Sequence, residues 1–81
     1  MVSSDYRAAI NALKEVRTEA GISQRELARR LNKPPSFVNK IEQLERRLDV
    51  LEFIVIAQAL EIEPKALLGS LMAVLPEKVS L

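Results

Sequence analysis

The residues with the clearest chemical potential are cationic and sit in the middle of the chain: Arg25, Arg29, Arg30, Lys33, Lys40, Arg46 and Arg47. Residues 23–47 carry seven basic and three acidic side chains, a net of +4, whereas residues 1–22 are neutral and residues 48–81 carry a net of −3. The whole chain is only +1, so position and not total charge is informative. A basic centre beside an acidic remainder is what a phosphate-facing surface requires; ordinary solvated helix faces would give the same count. Cysteine and histidine are both absent, which removes disulfides, structural zinc, thiol nucleophiles and the usual base near neutral pH. No Gly-rich loop, serine–lysine pair or acidic cluster replaces them, so the expectation is a protein with no catalytic residues, metal or cofactor.

A chain of 81 residues suits one domain spanning 1–81, and with 48% apolar and 28% charged residues it should fold around a modest core. Its longest apolar stretch, residues 66–75, is broken by Gly69 and Ser70 and falls well short of the ~20 residues of a membrane span. The Met-Val-Ser-Ser start lacks a basic segment leading into a hydrophobic one, which points to a cytoplasmic location.

Apolar spacing and punctuation predict five helices. Ser3 or Ser4 caps a first helix whose stripe of Tyr6, Ala9, Ile10, Leu13, Val16 and Ala20 faces a core, and Gly21 ends it. Ser23 and Glu26 form a capping-box pair, with Ile22 and Leu27 as the hydrophobic staple, opening a second helix whose inner face is Leu27, Ala28 and Leu31. Asn32 tolerates left-handed geometry and closes it. Lys33-Pro34-Pro35 is a break, and a third helix starts near Pro35 with Val38 and Ile41 inward and Ser36, Asn39, Lys40 and Gln43 outward. Asp49 and Glu52 repeat the capping logic for a fourth helix running to about Leu60. Its apolar residues cover more than one face, implying burial inside the monomer or contact with a second subunit. Pro64 opens a fifth helix through Leu67, Leu68, Leu71, Met72, Val74 and Leu75, closed by Pro76.

Two short helices joined by about three residues, the second exposing a polar row, match the geometry of a helix-turn-helix over residues 23–43, although many helical bundles contain such turns. More specific are the run from Leu13 to Leu31, Gly21-Ile22-Ser23-Gln24, Glu26-Leu27-Ala28, the Ile41-Glu42 pair, and Ala57-Gln58-Ala59-Leu60 ahead of Pro64. In these, residues 13–68 resemble the phage Cro/repressor-like, or XRE, family of DNA-binding proteins. Residues 46–53 are similar to a branch of bacterial and prophage XRE regulators.

The resemblance implies an all-α, five-helix, lambda-repressor-like domain that binds double-stranded DNA, with helix three in the major groove and a location on the bacterial or phage nucleoid. It implies that Gln24 anchors a phosphate through its side chain and neighbouring backbone N–H groups. Pro35, Ser36, Asn39 and Lys40 match base-reading positions, flanked by Phe37: Asn39 would read adenine, Lys40 guanine and Phe37 a thymine methyl, unless Phe37 belongs to the core. Gln43, Arg46 and Arg47 match a backbone-contacting loop, and Arg25 and Lys33 are further phosphate candidates. Arg17 and Glu42 match a structural ion pair. Two departures stand out. Pro35 replaces a hydrogen-bonding reader, and Leu44 replaces a glycine after Ile-Glu-X, so the end of helix three or the following loop is expected to differ.

The expected function is a sequence-specific transcriptional regulator, a repressor in the leading version, acting as a homodimer on a two-fold operator. Leu71, Met72, Val74 and Leu75, within helix five and the tail at 64–81, are the expected dimer contacts. The alternatives are the antitoxin of a toxin–antitoxin pair, with the toxin as protein partner, and an interaction module without DNA binding.

Overall fold

A computed structural model describes residues 2–81, and Met1 of the Met-Val-Ser-Ser start lies outside them. The described residues form five helices and no strand: α1 (Ser4–Glu19), α2 (Gln24–Arg30), α3 (Ser36–Glu42), α4 (Val50–Ala59) and α5 (Pro64–Met72). No described helix is long and apolar enough to cross a membrane.

Four of the five helices, all but α3, start where a side chain satisfies an otherwise orphaned N–H group. Ser3, not Ser4, caps α1 by accepting from the Tyr6 N–H at 3.0 Å. Ser23 accepts from the Glu26 N–H, and Glu63 caps α5 from the position before Pro64. The capping box is complete only at α4, where Asp49 accepts from the Glu52 N–H at 2.7 Å and the Glu52 carboxylate accepts from the Asp49 N–H at 3.0 Å. The reciprocal arm expected at Ser23 does not form, because the Glu26 carboxylate turns outward to two arginines that outcompete a single amide as donors.

The first four helices end alike. The second residue past each C-cap donates its N–H back five positions, as Ile22 does to Arg17, Lys33 to Ala28, Glu45 to Lys40 and Ile62 to Ala57, with a left-handed residue in between. At α1 that residue is Gly21 (φ 75°), and at α2 it is Asn32 (φ 57°), as their types foretell. At α3 and α4 it is Leu44 (φ 65°) and Glu61 (φ 59°). The end of α3 therefore keeps the turn that a glycine would make.

Ile10 and Leu13 of α1, Leu27 and Ala28 of α2, Val38 and Ile41 of α3, Ile56 and Ala57 of α4, and Leu67 and Leu71 of α5 form one core. Helix α1 packs on α3 and α5, α2 packs on α3 and α4, and α4 packs on α5. The core thus holds α3 by its Val38–Ile41 edge and leaves the opposite edge in solvent.

Two expectations need correction. Helix α4 is only partly buried within the monomer: Val50 and Leu51 at its first turn are 74% and 73% exposed and Val55 is exposed, because its neighbours cover only the face bearing Phe53, Ile56 and Ala57. Helix α5 stops at Met72, with Val74 and Leu75 in the following turns, so Pro76 does not close it.

Candidate nucleic-acid interface

The turn between α2 and α3 is set by local chemistry. Asn32 reverses the chain in left-handed geometry and the Lys33 N–H returns to the Ala28 carbonyl at 2.9 Å. The Phe37 N–H then bonds the Pro34 carbonyl at 2.9 Å. Pro35 takes the N-cap position with helical φ and ψ and no side-chain bond, which suits a residue without an N–H. From there Ser36, Asn39, Lys40 and Gln43 project from one exposed edge of α3, while Val38 and Ile41 are almost wholly buried. That edge presents a hydroxyl, two carboxamides and an ammonium, all suited to the edges of base pairs.

A charged network seats this helix. Arg17, 6% exposed, donates through Nε to Glu42 Oε2 at 2.7 Å and through Nη2 to Oε1 at 3.0 Å. Its Nη1 donates to the Ile22 carbonyl at 2.6 Å. The Gln24 Nε2 adds a third donor to Glu42, at 2.7 Å from Oε1. The ion pair expected from the resemblance is therefore present and buried, and Gln24 belongs to it. One amide proton of Gln24 serves Glu42 and the second is left for an outside acceptor. Nothing in the local sequence around Gln24 announces this bond, since its acceptor lies 18 residues away.

The basic residues divide into engaged and unengaged groups. Glu26 accepts from Arg29 at 2.8 and 2.6 Å and from Arg30 at 2.8 Å, and Arg30 also donates to the Ala59 carbonyl at the end of α4. Hydrogen bonds from Arg29 and then Arg30 hold the Glu26 carboxyl down at about 2. By contrast, no hydrogen bond or ion pair among the described residues engages the side chains of Arg25, Lys33 or Lys40. Arg25, Arg29 and Lys33 line one shallow cleft with Asn32 and Pro35, beside the exposed edge of α3.

The loop after α3 is also more occupied than its sequence suggests. Arg46 is forked onto Glu52, Nη1 to Oε1 at 2.8 Å and Nη2 to Oε2 at 2.5 Å, and Nη1 further reaches the Arg47 carbonyl. Its guanidinium carbon lies 4.8 Å from the centre of the Phe37 ring, with Lys33 Nζ 5.5 Å from the same centre. Phe37 is half-buried and packs on the core, which supports the packing reading of this residue. Arg47 lies over the Tyr6 ring at 4.6 Å, and the Tyr6 hydroxyl accepts from the Leu48 N–H at 3.1 Å. Tyr6 and Glu52 thus support this loop, although by sequence they read only as a core residue and a helix cap.

A helix-turn-helix family model matches residues 13–67, from the second half of α1 through the first turn of α5 and including the whole α2–turn–α3 unit. The chain belongs to the XRE helix-turn-helix family. A solved XRE-family like protein from Pseudomonas syringae pv. tomato is similar along nearly the entire length, with 48% identity, a TM-score of 0.80, and coverage of 90% of this chain and 89% of that one. No curated protein matches this chain. This XRE-family protein accordingly has the all-α, lambda-repressor-like fold and is a DNA-binding regulator in the general sense of its family. Regulators with this fold are typically not enzymes.

Among the four residues expected at a dimer contact, Met72 and Val74 are exposed and Leu75 is half-buried. Leu71, at 7% exposure, is already inside the core of its own chain, since the α5 face it shares with Leu67 points toward α1 and α4.

Proposed function

We propose that this XRE-family protein is a sequence-specific regulator of transcription, a repressor, which inserts α3 into the major groove and binds a two-fold operator as a cytoplasmic homodimer. The observation carrying this reading is the exposed edge Ser36–Asn39–Lys40–Gln43, on a helix whose opposite edge is anchored by the core and by Glu42. Asn39 suits adenine and Lys40 suits guanine, and Ser36 serves either. Pro35 offers only shape, and the exposed part of Phe37 can meet a thymine methyl. Gln24, Arg25, Lys33, Gln43 and Arg47 contact phosphates on this reading, the first through the amide proton that Glu42 leaves unused.

The body measures 35 × 27 × 21 Å, comparable to one ~34 Å helical turn of duplex, so one chain reads one half-site and a pair reads two. Met72, Val74 and Leu75 supply apolar surface for such a pair. The exposed Val50, Leu51 and Val55 favour a second protein contact as well, which is the arrangement an antitoxin needs for its toxin.

Selection of bound sequences from random duplex DNA, followed by salt titration of the winner, tests the reading. Enrichment of a two-fold motif with steeply salt-dependent affinity is expected. Recovery of no motif, with weak and salt-insensitive binding, would leave an interaction module without DNA contact.

A further inference from the structure

Glu52 lies outside the helix-turn-helix, in the first turn of α4, and its obvious task is to cap that helix. Yet its carboxylate does more than the cap demands. One oxygen accepts from both the Asp49 N–H and Arg46 Nη1, and the other accepts from Arg46 Nη2. Arg46, held in this fork, lies against the Phe37 ring and bonds the Arg47 carbonyl, so it touches α3, the following loop and α4 at once. Phe37 in turn has Lys33, from the turn before α3, near its ring. The two ends of the reading helix are thereby tied to one aromatic side chain, and that side chain to the start of α4.

Resting on the DNA-binding reading above, we infer that Glu52 and Arg46 are positioning residues for DNA binding: Glu52 holds Arg46 against Phe37 to fix the pose of α3 and its following loop, and Arg46 is not a phosphate ligand. A guanidinium with both terminal nitrogens on a carboxylate is electrically balanced and has spent its best donor geometry. It releases no counterion from DNA unless Glu52 is displaced. The bidentate fork also gives a direction that a point charge cannot, which is why lysine should not substitute for it.

The test uses the full chain with Arg46→Ala, Arg46→Lys and Glu52→Gln. Glutamine serves at the third position of a capping box as glutamate does, so Glu52→Gln removes the ion pair and keeps the helix start. Duplex affinity is measured across a salt series. Positioning predicts that all three variants bind about tenfold more weakly with an unchanged slope of log affinity against log salt. Lysine would give no rescue.

In the protein without DNA, the Arg46 side-chain Nε–H resonance should carry a ring-current shift that Glu52→Gln and Phe37→Leu both abolish. In the unsubstituted protein this shift should persist when DNA is added. If Arg46→Lys binds as the unsubstituted chain does while Arg46→Ala loses about 0.9 from the salt slope, Arg46 is a phosphate ligand and the inference is wrong. Tighter binding with a steeper slope for Glu52→Gln would overturn it too, making Glu52 a competitor of phosphate. Absence of any duplex binding by the unsubstituted chain would remove the DNA-binding reading and the positioning role together. The resonance measured without DNA separates that failure from absence of the Arg46–Phe37 contact.

Discussion

Arg17 and Glu42, 25 residues apart in sequence, meet as a two-pronged ion pair at 2.7 and 3.0 Å that joins α1 to the end of α3. Their side chains are only 8% and 4% exposed, so neither charge can be rehydrated if the other is removed. Arg17→Ala or Glu42→Ala should each destabilise the fold by ~3–5 kcal/mol, whereas the paired replacement Arg17→Met with Glu42→Leu should cost less than either alone. Urea denaturation of the four proteins checks this. A single alanine variant within about 1 kcal/mol of the original, the scale of an exposed pair, would mean that the pair behaves as one. Loss of DNA binding by Arg17→Ala is expected as a consequence of this destabilisation and does not make Arg17 a DNA contact.

Lys40→Ala and Gln24→Ala should fail in different ways. Removing Lys40 from the exposed edge of α3 should relax preference at one base position by ~1–3 kcal/mol. Removing Gln24 should weaken binding to every sequence alike. It should also lower stability by about 1 kcal/mol, because Glu42 loses one of its donors. Competition binding against single-base operator variants separates the two, and equal losses across all variants for Lys40→Ala would exclude a base-reading role.

Left-handed residues at the helix ends offer a test of backbone strain. Glu61 is exposed with φ 59°, so Glu61→Gly should stabilise the protein by roughly 0.5–1 kcal/mol, the relief of strain being partly offset by the added freedom of the unfolded chain. Leu44 has similar backbone geometry but also packs on the core, so Leu44→Gly should gain less or lose. Gly21→Ala should destabilise by ~1–2 kcal/mol through the backbone alone, since an added Cβ would meet nothing within 4 Å. Thermal denaturation measures all three.

Acid should act on two carboxylates. Arginine hydrogen bonds depress Glu26 from 4.5 to about 2, and hydrogen bonding from Arg46 lowers Glu52. A carboxyl with a lower pKa in the folded state contributes stability above its unfolded value and loses it as pH falls. The stability gap between the original protein and Glu26→Gln should therefore be constant above pH 4.5, then close progressively toward pH 2. Glu52→Gln should show the same direction. A gap that instead opened on acidification would contradict both assignments.

The dimer reading makes a claim about size. Light scattering should show two chains for the original protein and one for Met72→Glu or Val74→Glu, both of which alter exposed positions and should remain folded. Leu71→Glu should unfold the chain, because it places a charge in the core without a partner. A monomeric original protein would refute the dimer.

Much of this fold follows from neighbours along the chain. The serine and aspartate caps, the stop at Gly21, the reversal at Asn32 and the helical spacing of the apolar residues each depend on groups within a few positions, and each appears in the structure. The family and the polar edge of α3 were legible for the same reason: they are patterns in consecutive residues. Tertiary contacts, by contrast, choose the partners of several long side chains. Arg46 goes to Glu52, Gln24 to Glu42, Arg30 to the Ala59 carbonyl, and the Tyr6 hydroxyl receives the Leu48 N–H. They also decide that Leu44 and Glu61 accept left-handed geometry without being glycine, and that Val50, Leu51 and Val55 stay in solvent. A cap draws on three or four adjacent residues. The partner of a flexible charged side chain is set by how whole helices pack, and that packing brings together residues that no local pattern relates.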